Sequence, residues 1–207
     1  MKAPLIKQGP IAFMRGLTFP GGQQPVINGA QVYLRYPRMG DHAGWAAVRG
    51  ESREFLSPWE PVWASDELSK SAYRRRIKRY QKETRADSAY AFFVFRKEGD
   101  VLMGGCTLSN VRRGVTQCCA LGYWIGERYA RQGYMFDAVR ALVPFVFTTL
   151  GLHRIEAACL PSNEPSKNLL TKVGFRQEGL ARRYLQINGE WRDHALFALL
   201  ADEAPVG

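Results

Sequence analysis

The sequence predicts an α+β domain built around one mixed β-sheet, and three patterns support this prediction. Short alternating apolar segments in the first half return through tight turns, as in an antiparallel meander. A helical segment after Gly133 separates two strands, and strands joined by a helical crossover lie parallel. Asn188-Gly189 marks a closing hairpin. We expect about seven strands and about four helices in the order β-α-α-β-β-β-α-β-α-β-β.

The composition favours a single domain that stays out of membranes. The chain has 207 residues, of which 46% are hydrophobic and 12% aromatic, and this is enough for a substantial core. No apolar run reaches the roughly 18–20 residues that cross a bilayer, because Arg140 and Pro144 interrupt the longest candidate, 138–152. The first residues contain too much Pro, Lys and Gln for a secretory signal. We therefore expect a cytoplasmic protein with four reduced cysteines and no membrane partner.

The chain divides into one domain and two short terminal segments, because residues 1–30 are rich in Gly, Pro and Gln and show little periodicity. The predicted boundaries are 1–30 for an N-terminal arm, 31–200 for the domain and 201–207 for a C-terminal tail. The predicted elements of the first half are a strand at 31–36, a helix over about 41–51 capped by Asp41, a basic helix from Ser65 or Asp66 to about Arg85, and strands at 90–96, 101–108 and 116–125.

The second half alternates helices with strands before it closes as a hairpin. Pro144 lies inside the helical pattern that follows Gly133, so we expect a kink or a boundary there. Gly151 and Gly174 are helix stops. The remaining predicted elements are a strand at 154–160, a turn and cap at 161–163, a helix at 166–173, and hairpin strands at 182–187 and 190–200.

A strong positive charge indicates an acidic partner. The chain carries 29 Lys and Arg against 19 Asp and Glu, a net charge of +10, and part of the excess lies in residues 74–79. RNA, a nucleotide-like cofactor or a ribosomal surface would suit such a basic helix. The alternative is an ordinary solvated helix face.

Several familiar catalytic motifs are absent from the sequence. It contains no G-x-x-x-x-G-K-[ST] phosphate loop and no G-x-G-x-x-G after a strand. Neither an H-E-x-x-H motif nor paired cysteines support a metal site, and no G-x-S-x-G nucleophile turn occurs. We expect chemistry that needs no metal.

Two strand–helix junctions are the strongest candidates for a binding site. In the first, residues 121–135, the free N–H groups of a helix start meet Gly133 and the charge of Arg131, which together suit a pyrophosphate. The second junction, 163–166, follows the next strand. Because the two strands are parallel neighbours, both junctions open on the same crevice. The alternative for the first junction is an ordinary strand–turn–helix connection.

These residues resemble a known family. The segments LGYWIGERYARQGYM, HRIEAACLPSNEPSKNLLTKVGFRQEG and YLQINGEWRDHALFAL resemble the Gcn5-related N-acetyltransferases (GNAT), and among them the RimJ type. The resemblance covers about residues 31–200. It implies acetyl-CoA as the donor, and as acceptor the α-amine of an N-terminal alanine of a small-subunit ribosomal protein. The residues that it implies for the coenzyme are Trp124, Ile125 and Gly126 beside the pantetheine, Arg131, Gln132, Gly133, Tyr134 and Met135 at the pyrophosphate, and Asn163 and Ser166 near the thioester.

The sequence departs from the family pattern at two positions. Ala130 replaces the first residue of the phosphate motif, and Arg131 can supply its charge. Ala120 occupies the place where some relatives have a catalytic glutamate. The general base is therefore unassigned. The candidate residues are Glu156, Glu127 and Tyr184 as bases, Ser166 as the acid that protonates the thiolate, and Trp59 and Tyr184 as acceptor contacts. Two other functions remain open: acetylation of a small-molecule amine, and a basic protein that binds RNA or the ribosome.

Overall fold

Eight strands form one mixed sheet in the computed structural model, which describes residues 24–204. Their order is β1-β2-β3-β4-β5-β6-β8-β7, and in this described part β5–β6 is the parallel pair while all other neighbours are antiparallel. The strands are β1 Val26–Asn28, β2 Val32–Arg35, β3 Tyr90–Arg96, β4 Val101–Arg112, β5 Cys118–Ile125, β6 Arg154–Cys159, β7 Arg176–Ile187 and β8 Glu190–Leu200. The helices are α1 His42–Glu51, α2 Arg53–Leu56, α3 Lys70–Arg85, α4 Tyr134–Pro144 and α5 Glu164–Val173.

Helices cover the sheet on both sides, so the central strands are buried on both faces. On one side Phe93 of β3 packs against Tyr73 of α3, with ring centroids 6.4 Å apart. On the other side the neighbouring Phe92 meets Phe145, directly after α4, at 5.4 Å. Because successive strand residues point to opposite faces, we name these the α1/α3 face and the α4/α5 face. Adjacent residues of one strand therefore serve different sides of the sheet.

The helical crossover between β5 and β6, and the proline and glycine residues at the helix ends, are as the sequence predicts. β5 and β6 are parallel, with Cys118 opposite Arg154. Pro144 is the last residue of α4, and a π-helical turn follows it. Gly174 ends α5 with φ of 114°, a left-handed conformation that favours glycine. The predicted fold class is therefore confirmed, with eight strands rather than about seven and with α2 as an additional short helix.

The start of α3 was predicted incorrectly. The helix begins at Lys70 rather than after Ser65 or Asp66, because Ser69 is its cap and accepts a hydrogen bond from the Ala72 N–H at 3.1 Å. The Asp66 carboxylate instead pairs with Arg75 at 2.6 Å. Several cap-forming side chains lie within a few residues of one another here, and the side-chain hydrogen bond identifies the true cap.

Asp41 also has a different role from the predicted one. It directly precedes α1, but its side chain accepts no hydrogen bond from the helix amides. Its carboxylate receives the Arg35 guanidinium at 2.7 and 2.9 Å and the Arg38 N–H at 2.7 Å. Asp41 therefore joins the start of α1 to the end of β2.

Regular structure begins before residue 31. Residues 1–23 of the predicted arm and 205–207 of the predicted tail lie outside the described residues. Within the arm, β1 pairs with β2, with Ile27 opposite Leu34. β7 starts at Arg176, six residues before the predicted 182, and α5 starts at Glu164 rather than Ser166.

Candidate active site

A notch opens in the sheet where β5 and β6 separate. Their parallel pairing ends at Leu121 opposite Ala157. β5 nevertheless continues to Ile125 in contact with β4, while β6 ends at Cys159. Among residues 24–204, no strand pairs with the β6 side of Gly122–Ile125. This edge can therefore form backbone hydrogen bonds with an extended ligand.

The start of α4 borders the notch and presents free amides. The first hydrogen bond of the helix runs from the Asp137 N–H to the Gly133 carbonyl at 3.0 Å. The N–H groups before Asp137 therefore donate no hydrogen bond within the helix. Gly133 adopts φ of 86°, and a Cβ at that position would meet nothing within 4 Å. Arg131 is exposed beside it with φ of 62°. A helix start of this geometry can bind an anion.

Asp137 secures this helix start to the first strands. Its carboxylate accepts the N–H groups of Ala30, Gln31 and Val32 at 2.9, 2.7 and 3.1 Å. A Cβ at Gly29 would lie 2.8 Å from the Asp137 carboxylate, so a larger residue there would displace this carboxylate. Three donors compensate the negative charge, so the first turn of α4 can still attract an anion.

Ser166 and Tyr123 meet across the notch on the α4/α5 face. Asn163 caps α5 by accepting the Ser166 N–H at 3.1 Å, so the Ser166 hydroxyl is not needed as the cap. That hydroxyl lies 2.7 Å from the Tyr123 hydroxyl of β5. Burial raises the pKa of Tyr123, which therefore keeps its proton at neutral pH and can donate to Ser166. This arrangement leaves the Ser166 proton available to a ligand in the notch.

The α1/α3 face of the notch is walled by a cluster around Arg49. The Arg49 guanidinium lies 4.9 Å from the ring centroid of Trp124 and 4.3 Å from that of Trp63. It binds the Glu60 carboxylate at 2.6 and 3.1 Å, and the Trp63 indole donates to the same carboxylate at 2.8 Å. Glu60 is therefore a fixed ion-pair partner rather than a freely solvated charge. Its carbonyl also accepts the Asn188 N–H at 2.9 Å, which joins this wall to the closing hairpin.

The other predicted site residues lie apart from one another. Trp59 follows α2 and is 36% exposed. Tyr184 is half exposed and packs its ring edge against His194 at 5.9 Å. The Glu156 carboxylate is bound by Arg112 at 3.0 Å and Arg154 at 3.1 Å, before the strands separate. These two ion pairs favour a structural role for Glu156.

The comparison with family models identifies the domain. Residues 31–176 match the model described as the acetyltransferase (GNAT) domain. The chain belongs to the GNAT acetyltransferase family. It is 34% identical over 175 residues to the probable N-acetyltransferase YjcK of Bacillus subtilis, covering 84% of this chain and 97% of that protein. It is 38% identical over 169 residues to the [ribosomal protein uS5]-alanine N-acetyltransferase of Escherichia coli, covering 81% of this chain and 87% of that enzyme.

Solved structures agree with this assignment. Mycobacterium smegmatis RimJ in complex with CoA-disulfide is similar with a TM-score of 0.84 and 32% identity, covering 89% of this chain and 91% of that one. The ribosomal-protein-S5-alanine acetyltransferase of Vibrio fischeri has a TM-score of 0.80 and 28% identity, covering 88% and 100% of the two chains. This GNAT protein is thus an acyltransferase with acetyl-CoA as its donor.

The notch suits that donor. Pantetheine can extend along the free edge of β5, and the diphosphate can meet the amides at the start of α4. Within residues 24–204 no group of three His, Cys, Asp or Glu side chains is arranged to hold a metal. No helix of the same residues has the length and apolar character to cross a bilayer.

Sequence reasoning missed two residues of this site. Tyr123 alternates with the predicted Trp124, so the pleat alone assigns it to the opposite face, toward α5. Arg49 lies 75 residues before Trp124 in the sequence, and no local pattern relates them. The two-residue alternation of side chains along β5 could have identified Tyr123, whereas Arg49 could be identified only from the folded structure.

Proposed function

We propose that this enzyme acetylates the α-amine of an N-terminal alanine on a small-subunit ribosomal protein. The similarity to the uS5-alanine N-acetyltransferase over most of both chains supports this acceptor. An acceptor of this kind would place the enzyme in the cytoplasm. The structural observation that carries the proposal is the notch, because it offers a free edge on β5 for the donor next to the end of β6.

Backbone groups hold the donor in this proposal. The N–H groups from Arg131 to Met135 receive the diphosphate, and Gly133 leaves room for its close approach. Trp124, Ile125 and Gly126 border the pantetheine, and Trp124 is held flat because Gly105 lies beneath it, where a Cβ would be 2.7 Å from the indole nitrogen. The thioester then lies near Ser166.

The reaction requires a neutral amine and a proton for the leaving thiolate. The ordinary pKa of an α-amine, about 7.7–8.0, leaves a useful fraction unprotonated at neutral pH. The amine nitrogen bonds to the thioester carbonyl carbon, and the carbon–sulfur bond then breaks. Ser166 donates its proton to the sulfur while Tyr123, 2.7 Å away, donates a hydrogen bond to the serine oxygen, and a proton from water then restores the Ser166 hydroxyl. The proton lost by the amine passes to water.

Intact-mass analysis tests the acceptor directly. The enzyme and acetyl-CoA are mixed with unacetylated small-subunit ribosomal proteins, and with variants in which serine replaces the first alanine. We expect one acetyl group, a gain of about 42 Da, on an alanine-starting protein. If a polyamine or amino acid were acetylated while every ribosomal protein remained unmodified, the enzyme would be a small-molecule acetyltransferase instead.

The basic face of α3 favours an additional contact with RNA, and we propose ribosomal RNA as its partner. Eight of the 16 residues of α3 are Lys or Arg and one is acidic, so the helix contributes +7 of the net +10. The exposed residues Lys70, Arg74, Lys78, Lys82 and Arg85 form no ion pair with another described residue. Like charges four residues apart destabilise a helix, and phosphates would relieve that cost.

Salt-dependent cosedimentation with ribosomes tests this contact. Replacing Arg74, Lys78 and Lys82 with glutamine should weaken association and flatten its dependence on salt, since each lost phosphate contact lowers the slope by about one. Acetylation of a free peptide should be unchanged. Unaltered cosedimentation of this variant would show that the face is merely solvated.

A further inference from the structure

The sheet has a second unpaired edge, opposite the one on β5. β6 pairs with β8 only from Ala195 to Leu200, and its last residue Cys159 lies opposite Ala195. β8 extends further, from Glu190 to His194, and in this stretch the described strands give it β7 as its neighbour on one side only. The end of β6 thus lies between two longer strands.

The β8 edge borders open space rather than packed chain. A cavity of about 320 Å³ lies between this edge and the turn that follows β6, Leu160–Ser162. Trp191 lines the cavity toward the outer end of the edge and is 61% exposed. A large apolar side chain in this position is a ready contact for a binding partner.

Asp193 gives the inner end of the edge a negative charge. One carboxylate oxygen accepts the Arg183 N–H at 2.8 Å, from a bulge in β7 where Arg183 has φ of 47°. The other oxygen has no hydrogen-bond partner among residues 24–204, and Asp193 forms no ion pair with them. Asp193 lines the cavity together with Arg183 and Arg192, of which Arg192 is paired with Glu190 at 2.7 Å. A cationic group that enters along the edge would meet it next to the end of β6.

We infer that the N-terminal segment of the acceptor binds as an added strand on the β8 edge, antiparallel to β8, between His194 and Trp191. This rests on the proposed function and adds the binding site for the acceptor. β6 itself is antiparallel to β8, so the peptide continues the line of β6 beyond Cys159. Its first residue lies opposite Asp193, beyond Leu160, with its amine near the Asp193 carboxylate and the notch. The following residues lead outward past Trp191, at about 3.3 Å each.

Only a peptide antiparallel to β8 brings its amine to the notch. A peptide parallel to β8 would have its amine opposite Glu190, at the far end from β6. The antiparallel arrangement brings the amine to the notch from β8, while the pantetheine approaches from β5. Backbone pairing also tolerates different side chains beyond the first residue, because main-chain hydrogen bonds supply most of the contact.

Backbone N-methylation of the acceptor tests the strand directly. Two short alanine-starting peptides of identical sequence carry one N-methyl group, at the second or at the third residue. In a strand, successive N–H groups point to opposite sides, so only one of these positions faces β8. We expect one peptide to show a KM at least tenfold higher and the other to remain within about twofold. Equal effects of the two methyl groups would overturn the inference.

Enzyme variants and hydrogen exchange locate the peptide. Trp191→Ala should raise the acceptor KM about fivefold to tenfold and leave the acetyl-CoA affinity unchanged. Leu180→Ala, an exposed apolar residue on β7, is the matched control and should change neither. A bound, unreactive peptide should slow amide exchange in residues 190–194. Protection of the outer edge of β7 or of residues 57–63 instead would overturn the inference. Failure of the wild-type enzyme to acetylate any alanine-starting peptide would refute the proposed function itself.

Discussion

Replacing Gly133 with alanine separates the conformational strain of that position from its contact with the coenzyme. Gly133 has φ of 86°, a left-handed conformation that costs an alanine about 1–2 kcal/mol. The added methyl group meets nothing within 4 Å, so no clash adds to this cost. For a domain of this size the expected loss in Tm is about 2–8 °C. In the complex the same methyl group would occupy the space that the diphosphate needs, and we expect CoA to bind at least tenfold more weakly, a loss of about 1.4 kcal/mol.

Gly114→Ala is the matched control for this variant. Gly114 has φ of 67°, its Cβ would also meet nothing within 4 Å, and it lies in the turn between β4 and β5. Thermal unfolding should show similar losses of stability for the two variants. Isothermal titration with CoA should show weakened binding for Gly133→Ala alone. Equal CoA affinities in the two variants would refute the assignment of the diphosphate to the start of α4.

Three further predictions follow from the contacts around the site and the sheet. Ser166→Ala should lower kcat at least tenfold while acetyl-CoA affinity changes less than about threefold, measured by thiol release and titration; near-wild-type turnover would remove Ser166 from the mechanism. Gly105→Ala places a Cβ 2.7 Å from the Trp124 indole nitrogen and should lower the free energy of unfolding, measured in urea, by about 1–3 kcal/mol. Gly122→Ala, whose Cβ would meet nothing within 4 Å, should lower it by less than about 1 kcal/mol. Burial acts to raise the pKa of Asp87, but hydrogen bonds from Arg113 and Tyr90 outweigh it, so the folded-state pKa is lowered. The unfolded state therefore binds more protons than the folded state. The stability that the Asp87 carboxylate contributes is lost as the pH falls through its folded-state pKa. Asp87→Asn should therefore flatten the loss of stability below about pH 4, and an unchanged acid limb in urea titrations would contradict this.

Much of the site follows from local sequence patterns. The helical crossover predicts that β5 and β6 are parallel neighbours, and their order along the chain brings Gly133 and Asn163 to the same end of the sheet. Asn163 is predicted as the N-cap of α5 because asparagine favours that position, and its side chain accepts the Ser166 N–H there. These predictions depend on residues close together in sequence, where spacing constrains geometry.

The remaining features depend on contacts between distant residues. The Arg49 cluster joins α1, the segment after α2 and β5, and the Asp137 carboxylate binds amides more than 100 residues away. The β8 edge is visible only once the pairing of β6 shows where that strand ends. Sequence periodicity identifies strands and their faces, but the unpaired edges that bind ligands depend on how far each neighbour extends.

Amide chemical shifts measured during a titration with CoA test the central claim most directly. The N–H groups of residues 131–135 should shift strongly on addition of CoA, and much less with pantetheine, which lacks the diphosphate, while residues 122–125 should respond to both. If residues 131–135 remained unperturbed by saturating CoA, the diphosphate would bind elsewhere and the assignment of the donor site would be wrong.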